Sequence, residues 1–463
     1  MPNSPVQTVA FPRAELVPIE ALKPYPRNAR THSKRQIDEI ASSIHRFGFV
    51  NPVLIDASRT VLCGNGRLAA ARKLGLRLVP ALRIDHLSDA ERRAYVIADN
   101  RLAEKAGWDR EILTIEFQHL IELNFDVDVT GFSTGEIDLI IDGASPPTTH
   151  DTADDLAEFG IQSSAVSQPG DVWSLGQHKL FCGNALNRDS YKTVLGTEKA
   201  QMVVTDPPYN VAISGHAMGR GKTRHREFAM ASGEMSKSQF EGFLTGAVKR
   251  LIEFSADGSI HFIFMDWRHL PELLGAALPR YSEWKNLLVW NKSNAGQGTF
   301  YRSKHELILA LKNGTARHIN NFELGASGRY RTNVCDYPGV NSLHPARRGD
   351  LELHPTVKPV ALIADLIRDC SRRKGIILDP FCGSGTVLLA AERAGRVARA
   401  IELDPLYVDV AIRRFEKHTG IVARDAKTGL TFAEVEARRA SDAEPLSAKA
   451  IRKAAPRKRG GRS

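Results

Sequence analysis

The sequence predicts an α/β protein in which a smaller α+β domain precedes an open, largely parallel sheet with helices on both faces. Three observations carry this. From residue 169 to about 423, short apolar runs alternate with helical patterns. Residues 143–168 shift to Ser, Pro, Thr, Ala and Asp with little periodicity, which predicts a linker. Before it, residues 1–142 mix short β-rich runs with helical patterns. A chain of 463 residues exceeds one hydrophobic core, in agreement with two domains.

In the first domain, residues 53–56 and 60–63 read as strands around a turn at 57–59, and residues 68–75 as a helix stopped by Gly75. In the second, the strand candidates are residues 201–205, 259–265, 287–290, 307–310, 375–378 and 397–401. The tail, residues 424–463, ends in a run of Lys and Arg without an apolar face. It is predicted to be disordered and to attract phosphates without specificity.

The net charge of +10 favours a polyanionic partner, DNA or RNA or an anionic surface. The first residues lack the basic start and apolar core of a signal peptide, and no apolar run is long enough to cross a bilayer. The expectation is a cytoplasmic protein without a membrane partner. The five cysteines are widely spaced, with no CxxC pair or zinc-ligand pattern, so free thiols and no metal are expected.

Two segments carry chemistry. Residues 376–380 form an apolar strand that runs into the glycine-bearing turn Phe381-Cys382-Gly383-Ser384-Gly385-Thr386 and a helix. Gly383 and Gly385 remove side chains where a cofactor must approach the backbone, and the helix start presents free N–H groups. Glu402 ends the next strand, placed to accept hydrogen bonds from ribose hydroxyls. A nicotinamide enzyme would carry a further glycine at position 388, which is Leu388. A phosphate loop before Gly221-Lys222-Thr223 is excluded, because His216 stands where its first glycine is needed.

The second segment is Asp206-Pro207-Pro208-Tyr209, delivered at the carboxyl end of the strand 201–205. The prolines stiffen the turn and withhold donors, leaving Asp206 and the Pro207 carbonyl to accept from an amino group. Tyr209 offers a ring to stack on an extruded base. Such acceptors orient an amine lone pair without any covalent nucleophile, and the chain has no Pro-Cys dipeptide of the kind that attacks cytosine.

Residues 169–423 resemble the β-class DNA amino-methyltransferases, in which the DPPY segment precedes the FxGxG segment. The matching stretches are residues 173–185, Ser303-Lys304-His305-Glu306, His354-Pro355-Thr356-Val357-Lys358-Pro359, residues 378–386 and Ile401-Glu402-Leu403-Asp404-Pro405. The resemblance implies a Rossmann-like sheet in permuted order, S-adenosyl-L-methionine as cofactor, DNA as partner and a target-recognition region at about 211–345. It assigns Asp206, Pro207, Pro208 and Tyr209 to the base, and Asp379, Phe381, Gly383, Gly385, Thr386 and Glu402 to the cofactor, with His354, Thr356 and Lys358 beside it. Asn184, where the family commonly has Asp, falls at a further cofactor position. DPPY usually accompanies N6-adenine methylation and SPP N4-cytosine methylation, so adenine is favoured over cytosine. A DNA-binding protein with an inactive methylase half, and methylation of RNA or a protein amide, are the other readings. A homodimer is frequent in the family. The basic stretch 214–235, with residues 294–301 and 329–341, reads as a charged surface loop or as a DNA-gripping one.

Residues 15–110 resemble the ParB/sulfiredoxin-like fold through residues 24–30, 48–52 and Gly64-Asn65-Gly66-Arg67. The last of these reads as a strand-to-helix turn with a guanidinium at the helix start, a candidate cradle for the phosphates of a nucleotide or of DNA. Asn65 stands where the family often has His or Glu, so nucleotide hydrolysis, DNA docking and a structural role all stay open.

Overall fold

The computed structural model describes residues 14–143, 151–156, 159, 164–210, 233–293, 295, 300–322, 329–339 and 357–443. The chain divides into two compact units, residues 1–146 and 147–463.

The first unit is built on a five-stranded sheet of β1 (Ala14–Pro18), β2 (Lys23–Pro24), β3 (Val53–Ile55), β4 (Thr60–Cys63) and β5 (Leu78–Arg83), in the order β1-β5-β3-β4-β2. The hairpin of β3 and β4 turns through Arg59, which has a positive φ of 62°. The expected helix begins earlier, at Asn65, and runs to Lys73. Alternate residues of the strands, Val53, Ile55, Val61, Val79 and Ala81, are buried in one core with Leu68. Beyond this sheet, helices Arg110–Glu122 and Thr134–Asp142 close on a separate small core of Phe117, Val127 and Ile137.

The second unit is a ten-stranded sheet. Its strands are β6 (Val172–Leu175), β7 (His178–Cys182), β8 (Ala200–Thr205), β9 (Ser255–Met265), β10 (Glu283–Asn291), β11 (His305–Lys312), β12 (Val334–Asp336), β13 (Ile376–Asp379), β14 (Val397–Glu402) and β15 (Ala423–Asp425). The order is β12-β10-β11-β9-β8-β13-β14-β7-β6-β15. All six strand candidates are strands. The central run β9-β8-β13-β14-β7 is parallel, but β11 lies antiparallel between β9 and β10, and β6 antiparallel between β7 and β15. The sheet is therefore mixed rather than largely parallel, because short return connections such as Gly176-Gln177 allow only antiparallel pairing.

Alternation along the strands divides the interior between two faces. Met202, Val204, Ile260, Phe262 and Ile377 enter one apolar cluster. Val203, Ile263, Met265 and Leu378 enter the other. Among the described residues no helix is long and apolar enough to cross a membrane.

Two segments read as unstructured are built into this unit. In the expected linker, Ala153, Leu156, Phe159, Val166 and Ser167 are buried. In the expected tail, β15 and the helix Phe432–Ala443 are formed, and residues 444–463 lie outside the described residues. Polar composition hid a sparse apolar face: Phe432 and Val435, one helical turn apart, pack into the core, with the Phe432 ring 5.3 Å from Trp173. Thr431 and Glu434 bond reciprocally across the helix start. We expect Phe432→Ala to destabilise this unit by about 3–5 kcal/mol, as for other buried aromatics. Denaturant unfolding that is unchanged would show that the helix is not part of the core.

Candidate active site

Strand register brings the two chemical segments to one edge. Val203 pairs with Leu378 and Leu378 with Arg399, so three residues further on Asp206, Phe381 and Glu402 leave the sheet at the same level. Glu402 pairs with Cys182, which places Gly183-Asn184 on the next strand over. Thr205 pairs with Ile263, which brings Asp266 to the same end.

Asp206 is the centre of a set of charges in which Lys358 and Glu306 are buried and Asp206 and Lys292 partly so. Its Oδ2 accepts from Lys358 Nζ at 2.5 Å and its Oδ1 from the Tyr209 hydroxyl at 2.5 Å. Lys358, 5% exposed, also pairs with Glu306 Oε2 at 3.1 Å, and Lys292 closes the set on Glu306 Oε1 at 2.5 Å. Two carboxylates and two ammonium groups alternate, so the group is neutral in sum, which a buried site requires. Burial raises the Asp206 carboxyl above its ordinary range, with Lys358 opposing and Glu306 reinforcing the shift. Burial acts the same way on Glu306, but Lys358 and Lys292 outweigh it and hold that carboxyl down at about 2. Burial and the Asp206 charge push the Tyr209 hydroxyl well above its usual value.

On the neighbouring strands the acids are held by hydrogen bonds instead. Asp379 Oδ1 accepts from the Thr205 hydroxyl at 2.7 Å and from the Phe381 N–H at 3.1 Å. Glu402 accepts from the Gly383 N–H at 2.7 Å and the Asp404 N–H at 2.9 Å. Burial pushes both carboxyls up to about 7 against these donors. Gly385 caps the helix Thr386–Arg393 with φ 84°, and a Cβ there would stand 2.8 Å from that of Ala411. The acceptor fits a cofactor bearing vicinal hydroxyls: Glu402 is fixed by the Asp404 and Gly383 N–H groups yet only partly buried, beside Phe381 and the turn at 383–385.

The predicted residues do not all behave as the sequence suggested. Lys358, expected beside the cofactor, spends its ammonium on Asp206 and Glu306. The Tyr209 hydroxyl is tied to Asp206 and, at 3.3 Å, to Glu306, while the Lys358 ammonium lies 5.7 Å from its ring centre. Asn184 Oδ1 accepts from the Leu186 N–H at 2.8 Å, an Asx turn. His354, Thr356 and the basic stretch 214–232 lie outside the described residues. Glu306 stood in a quoted motif without a role, and Lys292 carried no motif at all.

In the first unit the Gly64–Arg67 turn is packed internally. Asn65 accepts from the Tyr25 N–H at 3.2 Å and donates to the Val61 carbonyl at 3.2 Å. Arg67 donates to the Pro52 carbonyl at 3.3 Å, and a Cβ on Gly66 would meet His32 at 3.0 Å. An open cleft of about 360 Å³ in the same unit is lined by Tyr25, Asn100 and the arginines Arg27, Arg30, Arg93 and Arg101, with Glu104 paired to Arg30 and Arg101.

Three family models match in chain order: the ParB N-terminal domain over residues 5–101, the ParB-methyltransferase HTH domain over 111–169, and DNA methylase over 200–413. The chain joins ParB-like N-terminal domains to a DNA methylase of the N6/N4 family. The helix pair from Arg110 to Asp142 falls in the HTH match, which the sequence reading did not separate from the first domain. The ParB-like part is 41% identical over 76 residues to the ParB-like nuclease domain-containing protein YnaK of Escherichia coli (strain K12), covering 16% of this chain and 87% of that protein. A second match, 42% identical over 91 residues, is to the Type II methyltransferase M.ScaI of Streptomyces caespitosus, covering 19% of this chain and 29% of that protein. Among solved structures, the M1.HpyAVI-SAM complex aligns over 51% of this chain and 98% of its own, at 20% identity and a TM-score of 0.35.

The raised carboxyl of Glu402 has a consequence for the methylase unit. An acid whose folded value is about 7 against 4.5 free binds its proton more tightly when folded, so its contribution to stability is fullest below pH 4.5 and is lost as pH rises through about 7. Between pH 5 and 8 the wild type should therefore lose on the order of 1–2 kcal/mol relative to Glu402→Gln. Parallel pH–stability curves for the two proteins would rule this out.

Proposed function

We propose that this methylase transfers the methyl group of S-adenosyl-L-methionine to the exocyclic N6 of adenine in DNA, with Asp206 to Tyr209 handling the base. The observation that carries the reading is the shared level of Asp206, Phe381 and Glu402 on three adjacent strands, which sets a base acceptor beside a cofactor turn. When bound, the cofactor supplies an electrophilic methyl group. Glu402 accepts from its ribose hydroxyls, and the start of the helix Thr386–Arg393 offers N–H groups.

The chain's own part in the reaction is positioning and proton handling. The base amine donates to Asp206 and to the Pro207 carbonyl, which turns its lone pair toward the methyl carbon. On taking up a methyl group from a bound cofactor, the base nitrogen would have to shed one proton. Asp206 is placed to receive it, because burial and Glu306 favour its protonated form. Lys358 then holds the carboxylate in place between turnovers. Adenine is favoured because the segment is DPPY rather than SPP.

Asp206→Ala should lower labelled methyl incorporation into DNA by roughly two to three orders of magnitude. Equal incorporation by both proteins would remove Asp206 from catalysis and favour a DNA-binding protein with an inactive methylase half. Nucleoside chromatography of the modified DNA should show N6-methyladenine. N4-methylcytosine there would overturn the choice of base.

For the first unit we propose an anionic ligand, the phosphates of a nucleotide, at the arginine-lined cleft. The Gly64–Arg67 turn is proposed as a second phosphate contact, with the Arg67 guanidinium at the start of the helix Asn65–Lys73. Arg67→Ala should weaken nucleotide or DNA binding by about tenfold, in line with a lost charge-assisted contact, and leave cofactor binding intact. Binding of nucleotide and DNA that is unchanged would make this turn purely structural.

A further inference from the structure

Behind the glycine turn lies a fully buried arginine that the methyl transfer does not use. Arg414, in the helix Pro405–Thr419, is 0% exposed. Its Nε and Nη2 donate to the Ala153 carbonyl at 2.9 and 2.7 Å. Its Nη1 donates to the Ser384 carbonyl at 3.1 Å, to Ser384 Oγ at 3.2 Å and to Thr386 Oγ1 at 3.0 Å. One guanidinium thus ties the cofactor turn to a peptide more than two hundred residues earlier in the chain.

That peptide reaches two further elements of the same pocket. Asp154 Oδ1 accepts from the Val360 N–H at 2.8 Å, at the start of the helix Val360–Cys370 that follows Lys358. Asp151 accepts from Arg393 at the far end of the helix Thr386–Arg393. Leu156 and Phe159 pack with Val357 and Val410, and the Lys417 ammonium lies 5.6 Å from the Phe159 ring centre. The turn at 383–385 has two glycines and little side chain of its own to fix it. A guanidinium can satisfy the Ala153 and Ser384 carbonyls together, where an apolar residue would leave both unmet.

We propose that residues 151–156 and 159 form a strap that is a working part of the cofactor pocket, with Arg414 and Asp154 as positioning residues. Arg414 sets the turn at Ser384–Thr386, and Asp154 sets the helix start behind Lys358. The pocket is then completed by a segment inside the ParB-methyltransferase HTH match, and the methylase half cannot be cut away at residue 169 without loss of cofactor binding. The proposal rests on S-adenosyl-L-methionine as the cofactor.

The test uses the full chain and compares wild type with Arg414→Lys, Asp154→Ala and Asp154→Asn. Calorimetry reads the dissociation constant for S-adenosyl-L-methionine, and steady-state kinetics read KM separately for cofactor and for DNA. For Arg414→Lys and Asp154→Ala, the cofactor Kd and KM should rise about tenfold, the scale of a lost helix cap or a coupling between adjoining elements. KM for DNA should stay within about twofold. Asp154→Asn keeps an acceptor for the Val360 N–H and should restore most of the affinity. A lowered melting temperature with unchanged cofactor Kd would mean a merely structural role and overturns the proposal. Should Arg414→Lys not fold, Asp154→Ala decides alone, since its side chain is at the edge of the core. Wild type that fails to bind the cofactor overturns the cofactor assignment itself, whereas wild type that binds while the variants match it overturns the strap alone.

Discussion

Removing three acids from water at one sheet edge is the constraint on which the second unit depends. Asp206, Asp379 and Glu402 close the adjacent strands β8, β13 and β14, and burial raises the carboxyl of each. A sheet edge that gathers three carboxyls without compensation would not stay folded. The chain answers differently at each. Asp206 receives an ammonium, Asp379 a hydroxyl and an N–H, and Glu402 one N–H from its own turn and one from the neighbouring glycine turn. The differences suit the roles proposed for them. A residue that must gain and lose a proton is paired with a charge that stays, whereas one that only accepts from hydroxyls is fixed by neutral donors.

Much of this was legible because it is local. The strand that precedes each motif, the glycines of the turn and the acid at the end of β14 all fall within short windows of sequence, and the strand register then aligns them. What was not legible is the partnership between windows. Lys358 belongs to a stretch that reads as cofactor-side, yet its ammonium crosses to Asp206, 152 residues away in sequence. Nothing in local spacing encodes that. The role of Glu306, and Lys292 altogether, are hidden for the same reason. Each is unremarkable on its own strand, and only the antiparallel pairing of β10 and β11 sets them side by side.

Composition misled at both margins of the methylase unit. Segments 143–168 and 424–463 are polar, and polarity argues for solvent. Burial, however, needs only a few apolar residues at the right period. Ala153, Leu156, Phe159 and Val166 suffice on one side, Phe432 and Val435 on the other. The first unit shows the converse. Gly64 to Arg67 reads as a ligand cradle, and packing engages the same residues: Asn65 bonds the Tyr25 N–H and the Val61 carbonyl, and Gly66 admits His32. A glycine required for packing and a glycine required for a ligand have the same letter.

Lys358 and Arg414, two of the buried cations of the methylase unit, show why burial of charge is tolerated here. Lys358 faces two carboxylates, so its charge is held down by Coulomb attraction and its pKa rises despite burial. Arg414 has Asp154 3.9 Å away and otherwise meets carbonyls and hydroxyls, and burial draws its pKa down to about 10. A lysine in that second setting would tend to lose its proton, and with it the geometry of its donors. The guanidinium keeps its charge at any physiological pH and spreads its N–H groups in a fixed plane. The choice of cation therefore follows the task. A compact ammonium suits a site whose partner carboxylate must titrate, and a planar fork suits a joint between two backbone segments that must not move.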